Sequence, residues 1–458
     1  MSAFIFTVVL GIIVLYLGFS KNKSILSPIS AGGLVVSLVL SLKDWGHQSK
    51  YFHDMILIDN FSIAFNVSMI IITILIFLFA LDYYETMENH VAELYALMIF
   101  GLTGTFLMTS FSNLIMLFLG IEILSIPLYI LAGGKKYSYR SNEASFKYFI
   151  MGSFATAIFL FGIALVYGAS ATFYLPEIKT FIAQFNGHLP PMLLVGLLFI
   201  VIGVAFKIAA APFHFWSPDV YEGAPTLVTA FMATVVKTAG FAAFYRLLGI
   251  GLLPLPVQIE KALWVMTFLT LLIGNLGALR QSNFKRLLAY SAIAHSGFLM
   301  LAVLSQHESS ASVLLYYTFV YSLATIPLFI IFILAKRASD GLEEILIFRG
   351  LYKEKSWIAI FAIINLMSLA GIPPTSGFMA KYQVLFLAIN KGILLTSIFA
   401  IVMAIIGVYY YFFVIREIFT ERGQTTTKME VTKLNAALII ICSIGVLATG
   451  IFMWQIPI

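Results

Sequence analysis

Residues 197–226 read LLFIVIGVAFKIAAAPFHFWSPDVYEGAPT, and the fold turns on how this run is interpreted. Ten residues without a polar side chain lead into Lys207, which lies inside the same apolar stretch. Pro212, Pro218 and Pro225 then interrupt any regular helix. Ridges of polar residues, which a helix at a water interface would carry, are absent on either side of Lys207. The run therefore reads as a helix in hydrocarbon that stops part-way and continues as irregular backbone. Such backbone is tolerated in a bilayer only where it is buried in protein or lines water. One interrupted span of this kind implies a bundle of others around it.

The rest of the chain agrees. It has 458 residues, of which 61% are AVILMFWYC and only 10% are charged. A soluble domain carries about 25% charge. Mean hydropathy is +1.00. These values exclude a soluble fold and a disordered chain. The net charge of +6 reads as membrane orientation, with no nucleic-acid partner implied and lipids as the surroundings. One cysteine, Cys442, and seven scattered histidines give no disulfide, zinc site, iron–sulfur cluster or haem ligand set within the chain. No cofactor is expected in this chain. The first apolar segment, Phe4 to Phe19, lacks a basic start and reads as a retained helix.

Counting runs of about 20 apolar residues predicts an all-α polytopic membrane protein with fourteen spans. They fall at 3–19, 25–42, 57–81, 91–109, 112–132, 146–168, 190–210, 227–249, 260–279, 287–304, 310–335, 356–390, 393–418 and 434–457. Span 12 is interrupted by Gly371-Ile372-Pro373-Pro374, and 169–189 has room for a short interfacial helix. Of 27 basic residues, 18 lie in loops after odd-numbered spans, 6 on the other side and 3 inside spans. The bias places odd loops in the cytoplasm and both termini on the non-cytoplasmic side.

The three basic residues inside spans are Lys207, Lys237 and Lys381, and Glu122 sits in a fourth apolar run. A charge at the centre of a membrane helix costs roughly 2.5–3.5 kcal/mol on insertion scales. A lysine near a helix end can instead snorkel to the headgroups, a reading open above all to Lys381, seven residues after Pro374. Glu122 has too short a stem for that. Moving a carboxylate toward or away from a buried lysine changes how tightly the amine holds its proton, so these groups are suited to proton transfer, with Glu122 and Lys207 as a pair. His295, mid-span beside Ser291 and Ser296, is placed in the same relay. His214 follows Pro212 and reads equally well as structural. Asp59, Asp82 and Glu93 lie near span ends and are expected at the interface.

Spans 7 and 12 are both proline-broken, both carry a lysine, and lie five spans apart. Corresponding broken segments in two halves point to inverted repeats. The expected organisation is residues 1–90 (three helices), 91–249 (first repeat, helices 4–8), 260–418 (second repeat, helices 9–13) and 434–458 (helix 14). Glu122 then corresponds to His295, and Lys207 to Lys381.

The block Phe215-Trp216-Ser217-Pro218-Asp219-Val220-Tyr221-Glu222-Gly223-Ala224-Pro225 resembles a hallmark of the N subunit of proton-pumping NADH:quinone oxidoreductase, respiratory complex I. So do Gly120-Ile121-Glu122-Ile123-Leu124-Ser125, Arg286-Leu287-Leu288-Ala289-Tyr290-Ser291 with His295, and Ser368-Leu369-Ala370-Gly371-Ile372-Pro373-Pro374 with Gly377-Phe378 and Lys381. The resemblance implies fourteen helices with 7 and 12 broken, and one proton path per subunit. By position, Glu122 is its acid, Lys207 and Lys237 its lysines, His295 the connecting residue and Lys381 the terminal lysine. The resemblance also implies M-type and K-type membrane neighbours, a bacterial inner membrane, and NADH, FMN, iron–sulfur clusters and quinone in partner subunits. Two other readings share many of these features: a subunit of a multi-subunit cation/proton antiporter, and a structural membrane subunit with no active ion path.

Overall fold

In the computed structural model, residues 1–20, 23–84, 90–185, 189–339, 341–421 and 429–452 are described. The predicted loop charges Lys21, Arg422 and Lys428, and the end of span 14 at 453–457, lie outside them. The chain opens with α1 (Ser2–Leu17) and α2 (Leu26–Leu42). A two-stranded antiparallel hairpin follows, β1 (Ser49–Tyr51) and β2 (Ile56–Ile58), with Ser49 opposite Ile58. The all-helical expectation omitted this hairpin, and it takes up the start predicted for span 3. Helix α3 (Asn60–Tyr83) begins only at Asn60, because Asp59 and Ser62 form a capping box there.

Next come α4 (Val91–Ser110), α5 (Leu114–Ala132), α6 (Tyr139–Ser170), the short α7 (Leu175–Ala183) and α8 (Pro191–Lys207). The sequence anticipated α7. Helix α6 starts seven residues before the predicted 146, where Ser138 caps the Ser141 amide. Helices α4 and α5 approach closely at paired glycines. A Cβ on Gly104 would lie 2.6 Å from the Leu124 amide nitrogen, and one on Gly120 2.9 Å from that of Met108. Small residues of this kind let membrane helices pack backbone to backbone.

The break after α8 is where the opening stretch predicted it. Ala209 takes a left-handed φ of +55°. The indole of Trp216 donates to the Phe206 carbonyl at 2.9 Å, and the Ala211 amide donates to the Thr270 hydroxyl at 2.9 Å. Groups freed by the break are thus satisfied inside the protein, as hydrocarbon demands. Helix α9 (Trp216–Gly223) follows, then α10 (Thr226–Phe231) and α11 (Lys237–Tyr245). Two π-helical turns, Met232–Val236 and Arg246–Gly251, join these into one span, Thr226–Gly251, which is buried over its whole apolar window.

Helices α12 (Val257–Ala278), α13 (Phe284–Leu304) and α14 (Ser310–Arg337) lead to the short α15 (Leu351–Glu354). Helix α16 (Ser356–Ala370) breaks at Gly371, whose φ of +82° suits glycine, and α17 (Ser376–Asn390) continues. Helices α18 (Leu394–Phe419) and α19 (Lys433–Ile451) complete the chain. Eleven spans among the described residues are long and apolar enough to cross a membrane, and α1, α8 and α16 are shorter apolar helices. The span Thr226–Gly251, α13 and α14 form the interior, whereas α12, α18 and α19 present most of their surface outward.

Candidate functional site: a buried row of ionisable groups

Lys207, Lys237 and His295 are each 5% exposed and Lys381 8%. That burial rules out snorkelling for all three lysines. Lys207 is the last residue of α8, where the helix C-terminus favours a cation. Its amine donates to the Ser125 hydroxyl of α5 at 2.9 Å. Glu122 lies one turn back on α5 and accepts from the Thr156 hydroxyl at 2.8 Å. Glu122 and Lys207 form no direct ion pair among the described residues, and the carboxylate lies within electrostatic reach of the amine.

Lys237 follows directly on the first π-helical turn. Such turns recur at functional sites. Its amine donates to the Ala292 carbonyl and, at 2.9 Å, to the Ser296 hydroxyl, both on α13. Ser296 Oγ is in turn 2.9 Å from the carbonyl of Ile208, the residue after Lys207. One hydroxyl thus joins the surroundings of two lysines.

The neighbouring His295 is held at both nitrogens. Nδ1 is 2.8 Å from the Tyr317 hydroxyl and Nε2 is 3.3 Å from that of Tyr411, which also bonds Ser291. Lys237 and Lys381 both lie within electrostatic reach of this imidazole. Lys381 folds back over the break in span 12. It donates to the Leu369 and Ala370 carbonyls at 3.0 and 2.9 Å and sits 5.3 Å from the Phe298 ring centre. It thus caps the C-terminus of α16.

Lys207, Lys237, His295 and Lys381 are all buried and Glu122 is half-buried; Ser296 bridges the Lys237 amine to the backbone beside Lys207, whereas Glu122 and Lys381 are held by partners of their own. The sequence analysis named Ser296 as a neighbour of His295 and gave Ser125, Tyr317 and Tyr411 no role. A hydroxyl in an apolar helix carries no signature of its own; Ser125, three residues from Glu122, is the one that shares a helical face with a predicted residue. His214 packs its ring 4.4 Å from Phe215 in the α8–α9 break. Of the residues assigned to the interface, Glu93 pairs with His90 at an exposed position. Asp82 instead is buried, bonded to Arg337 and Asn435. Asp59 holds the buried Arg246 at 3.0 Å, and that arginine also bonds the Phe111 and Leu57 carbonyls.

A bundle of apolar helices with buried lysines and a histidine in its interior is an integral membrane protein built to hold ionisable groups away from lipid. The family model described as NADH:quinone oxidoreductase/Mrp antiporter, TM matches residues 111–407. NADH-quinone oxidoreductase subunit N of Flavobacterium johnsoniae is 38% identical over 451 residues, 97% of this chain and 96% of its own length. Subunit N of Trichlorobacter lovleyi is 36% identical over 433 residues, 94% and 89% of the two chains. A chain of respiratory complex I from Thermus thermophilus with bound aureothin superposes with a TM-score of 0.83 at 29% identity, covering 98% of this chain and 97% of that one. A chain of the Mrp complex from a Dietzia species shares the fold, with a TM-score of 0.83 at 20% identity and coverage of 98% and 94%. The chain belongs to the NADH:quinone oxidoreductase/Mrp antiporter transmembrane family, on the branch of the N subunits of NADH-quinone oxidoreductase.

Proposed function

We propose that this chain is a membrane-arm subunit of an NADH:quinone oxidoreductase and moves protons along Glu122, Lys207, Lys237, His295 and Lys381. The observation that carries the reading is Ser296, which links the Lys237 amine to the backbone beside Lys207. Redox chemistry belongs to partner subunits, which supply NADH oxidation, FMN, iron–sulfur clusters and quinone reduction. Its energy reaches this chain as a shift of charge or conformation at a membrane neighbour of the M or K type. Glu122 is half-buried on α5, where it can respond to such a shift. When its carboxylate moves relative to Lys207, the proton affinity of the amine changes. The proton then passes by way of Lys237 and His295 to Lys381.

Fourteen spans follow if α1, α8 with its continuation and α16 with α17 each cross the bilayer. Helices 4–8 and 9–13 are then inverted repeats within the divisions 91–249 and 260–418, flanked by 1–90 and 434–458. Two broken spans support this: Lys207 ends α8 at the first break, and the Lys381 amine bonds the last carbonyls of α16 at the second. The basic-loop side faces the cytoplasm of a bacterial inner membrane.

Purification of the tagged chain from its host membrane distinguishes this from the cation/proton antiporter reading. Co-purification with NADH oxidation by quinone and proton uptake into sealed vesicles is expected. A complex that lacks NADH oxidation but builds a sodium-dependent pH gradient would contradict it.

A further inference from the structure

A fourth buried lysine has no part in the row. Lys285 is 2% exposed and sits in the first turn of α13, behind the Asn283 cap. Its amine donates to the Ala224 carbonyl, between α9 and α10, at 3.1 Å and lies 3.5 Å from Glu343 Oε1. The same carboxylate pairs with Lys336 and accepts from Asn283 Nδ2 at 3.5 Å. Glu343 and Lys285 line a cavity of about 390 Å3 on the side of the basic loops. The other charged groups around it are Lys135, Arg140, Lys336, Glu222 and Glu344. Arg140 is matched by Glu222 at 4.0 Å. Burial and the nearby Lys336 push the Lys135 amine below its ordinary value.

Lys285, Ala292 and Ser296 are seven and eleven residues apart on α13, so they share one face. Lys237 is bound at the Ala292 and Ser296 end of that face. At 1.5 Å per residue, Lys285 lies roughly 10 Å nearer the basic-loop end than Ala292. It is a buried amine with a polar cavity on one side and the row on the other.

We propose that the Lys285–Glu343 pair is the proton-loading port of the row, fed from the basic-loop side through this cavity. The inference rests on the proton-transfer reading above and names its entry. Once the Lys285 ammonium has given its proton to the row, the Glu343 carboxylate takes one from cavity water and passes it to the then neutral Lys285 amine, which restores the ion pair. The resulting ammonium releases the proton through intervening water to the neutral Lys237 amine and is neutral again. Lys336 and Lys135 keep the carboxylate charged between turnovers.

The test uses the assembled complex in sealed vesicles, with proton uptake measured per NADH oxidised. Lys285→Met and Glu343→Gln are expected to lower uptake to the level of Lys237→Met. A third variant, Ser282→Cys, places a thiol at the exposed rim of the cavity. Treatment with a bulky methanethiosulfonate reagent should lower uptake relative to the untreated variant, whether or not the other substitutions permit assembly. If Lys237→Met lowers uptake but blocking Ser282→Cys leaves it unchanged, the port is overturned and the row stands. If Lys237→Met itself pumps normally, the function reading fails first.

Discussion

Lys207, Lys237 and Lys381 solve one problem with different partners. A buried ammonium needs acceptors, and a relay needs those acceptors weak enough to release it. Lys381 has two backbone carbonyls, Lys237 one carbonyl and one hydroxyl, and Lys207 the single hydroxyl of Ser125. Lys207 is thus the lysine most dependent on one side chain. Ser125→Ala should leave it short of a hydrogen bond at a cost of about 1–3 kcal/mol. Proton uptake per NADH is expected to fall in Ser125→Ala and to recover in Ser125→Thr, with assembly on blue-native gels unchanged in both. The five ionisable residues were legible because charge inside an apolar run is rare and expensive. Ser296 was visible only as a neighbour of His295, and the partnership of the other hydroxyls was not legible, since Ser, Thr and Tyr occur throughout such helices. Thr156 on α6, which donates to the Glu122 carboxylate, was hidden for the same reason.

Proline and glycine made the two broken spans readable, and Ala209 and Gly371 carry the left-handed turns that end α8 and α16. The π-helical turns at Met232–Val236 and Arg246–Gly251 have no comparable signal in the sequence. The β1–β2 hairpin was equally hidden, and Arg246 explains part of its placement. This guanidinium ties Leu57 of β2 and Asp59 to the end of the span Thr226–Gly251. Asp59→Asn keeps the helix cap and removes only the charge. Arg246 would then be buried without its counterion, a loss of roughly 3 kcal/mol, at the low end because Asp59 is partly exposed. A lower thermal denaturation midpoint of the complex is the expected result. Glu343 provides a pH test of the segment that closes the α13 end. Burial pushes its carboxyl up, but Lys285 and Lys336 outweigh this and hold it below the usual carboxylate range. Its stabilising contribution is present above the ordinary glutamate value, near pH 4.3, and is lost as pH falls through the lowered one. Protection factors against hydrogen exchange (rates relative to the free amide at the same pH) at the Phe284 and Ile345 amides, which bond the Glu343 and Ser282 carbonyls, should stay high at pH 6 and fall below about pH 4.

At the scale of the molecule, scarcity of charge was the informative quantity. Sorting 27 basic residues by span end left three in the interior. The structure adds Lys285 and Arg246, which occupy span ends by sequence and interior sites by packing. A span end can be covered by a neighbouring loop, as 341–344 covers Lys285, and a linear count does not see such cover. Helix burial follows the same logic. The span Thr226–Gly251 and α13 are enclosed on all sides and carry Lys237 and His295, so the charged groups lie where water entry is controlled by protein rather than lipid. The central claim is that this interior row carries protons driven by NADH oxidation elsewhere. Its most direct test is the ratio of protons translocated to NADH oxidised, measured in sealed vesicles for the complex containing Lys207→Met. The account predicts an assembled complex that oxidises NADH with a reduced ratio, and proton transfer through this chain slowed by roughly 10²-fold or more, as for loss of a positioned proton carrier. An assembled complex with an unchanged ratio would contradict it.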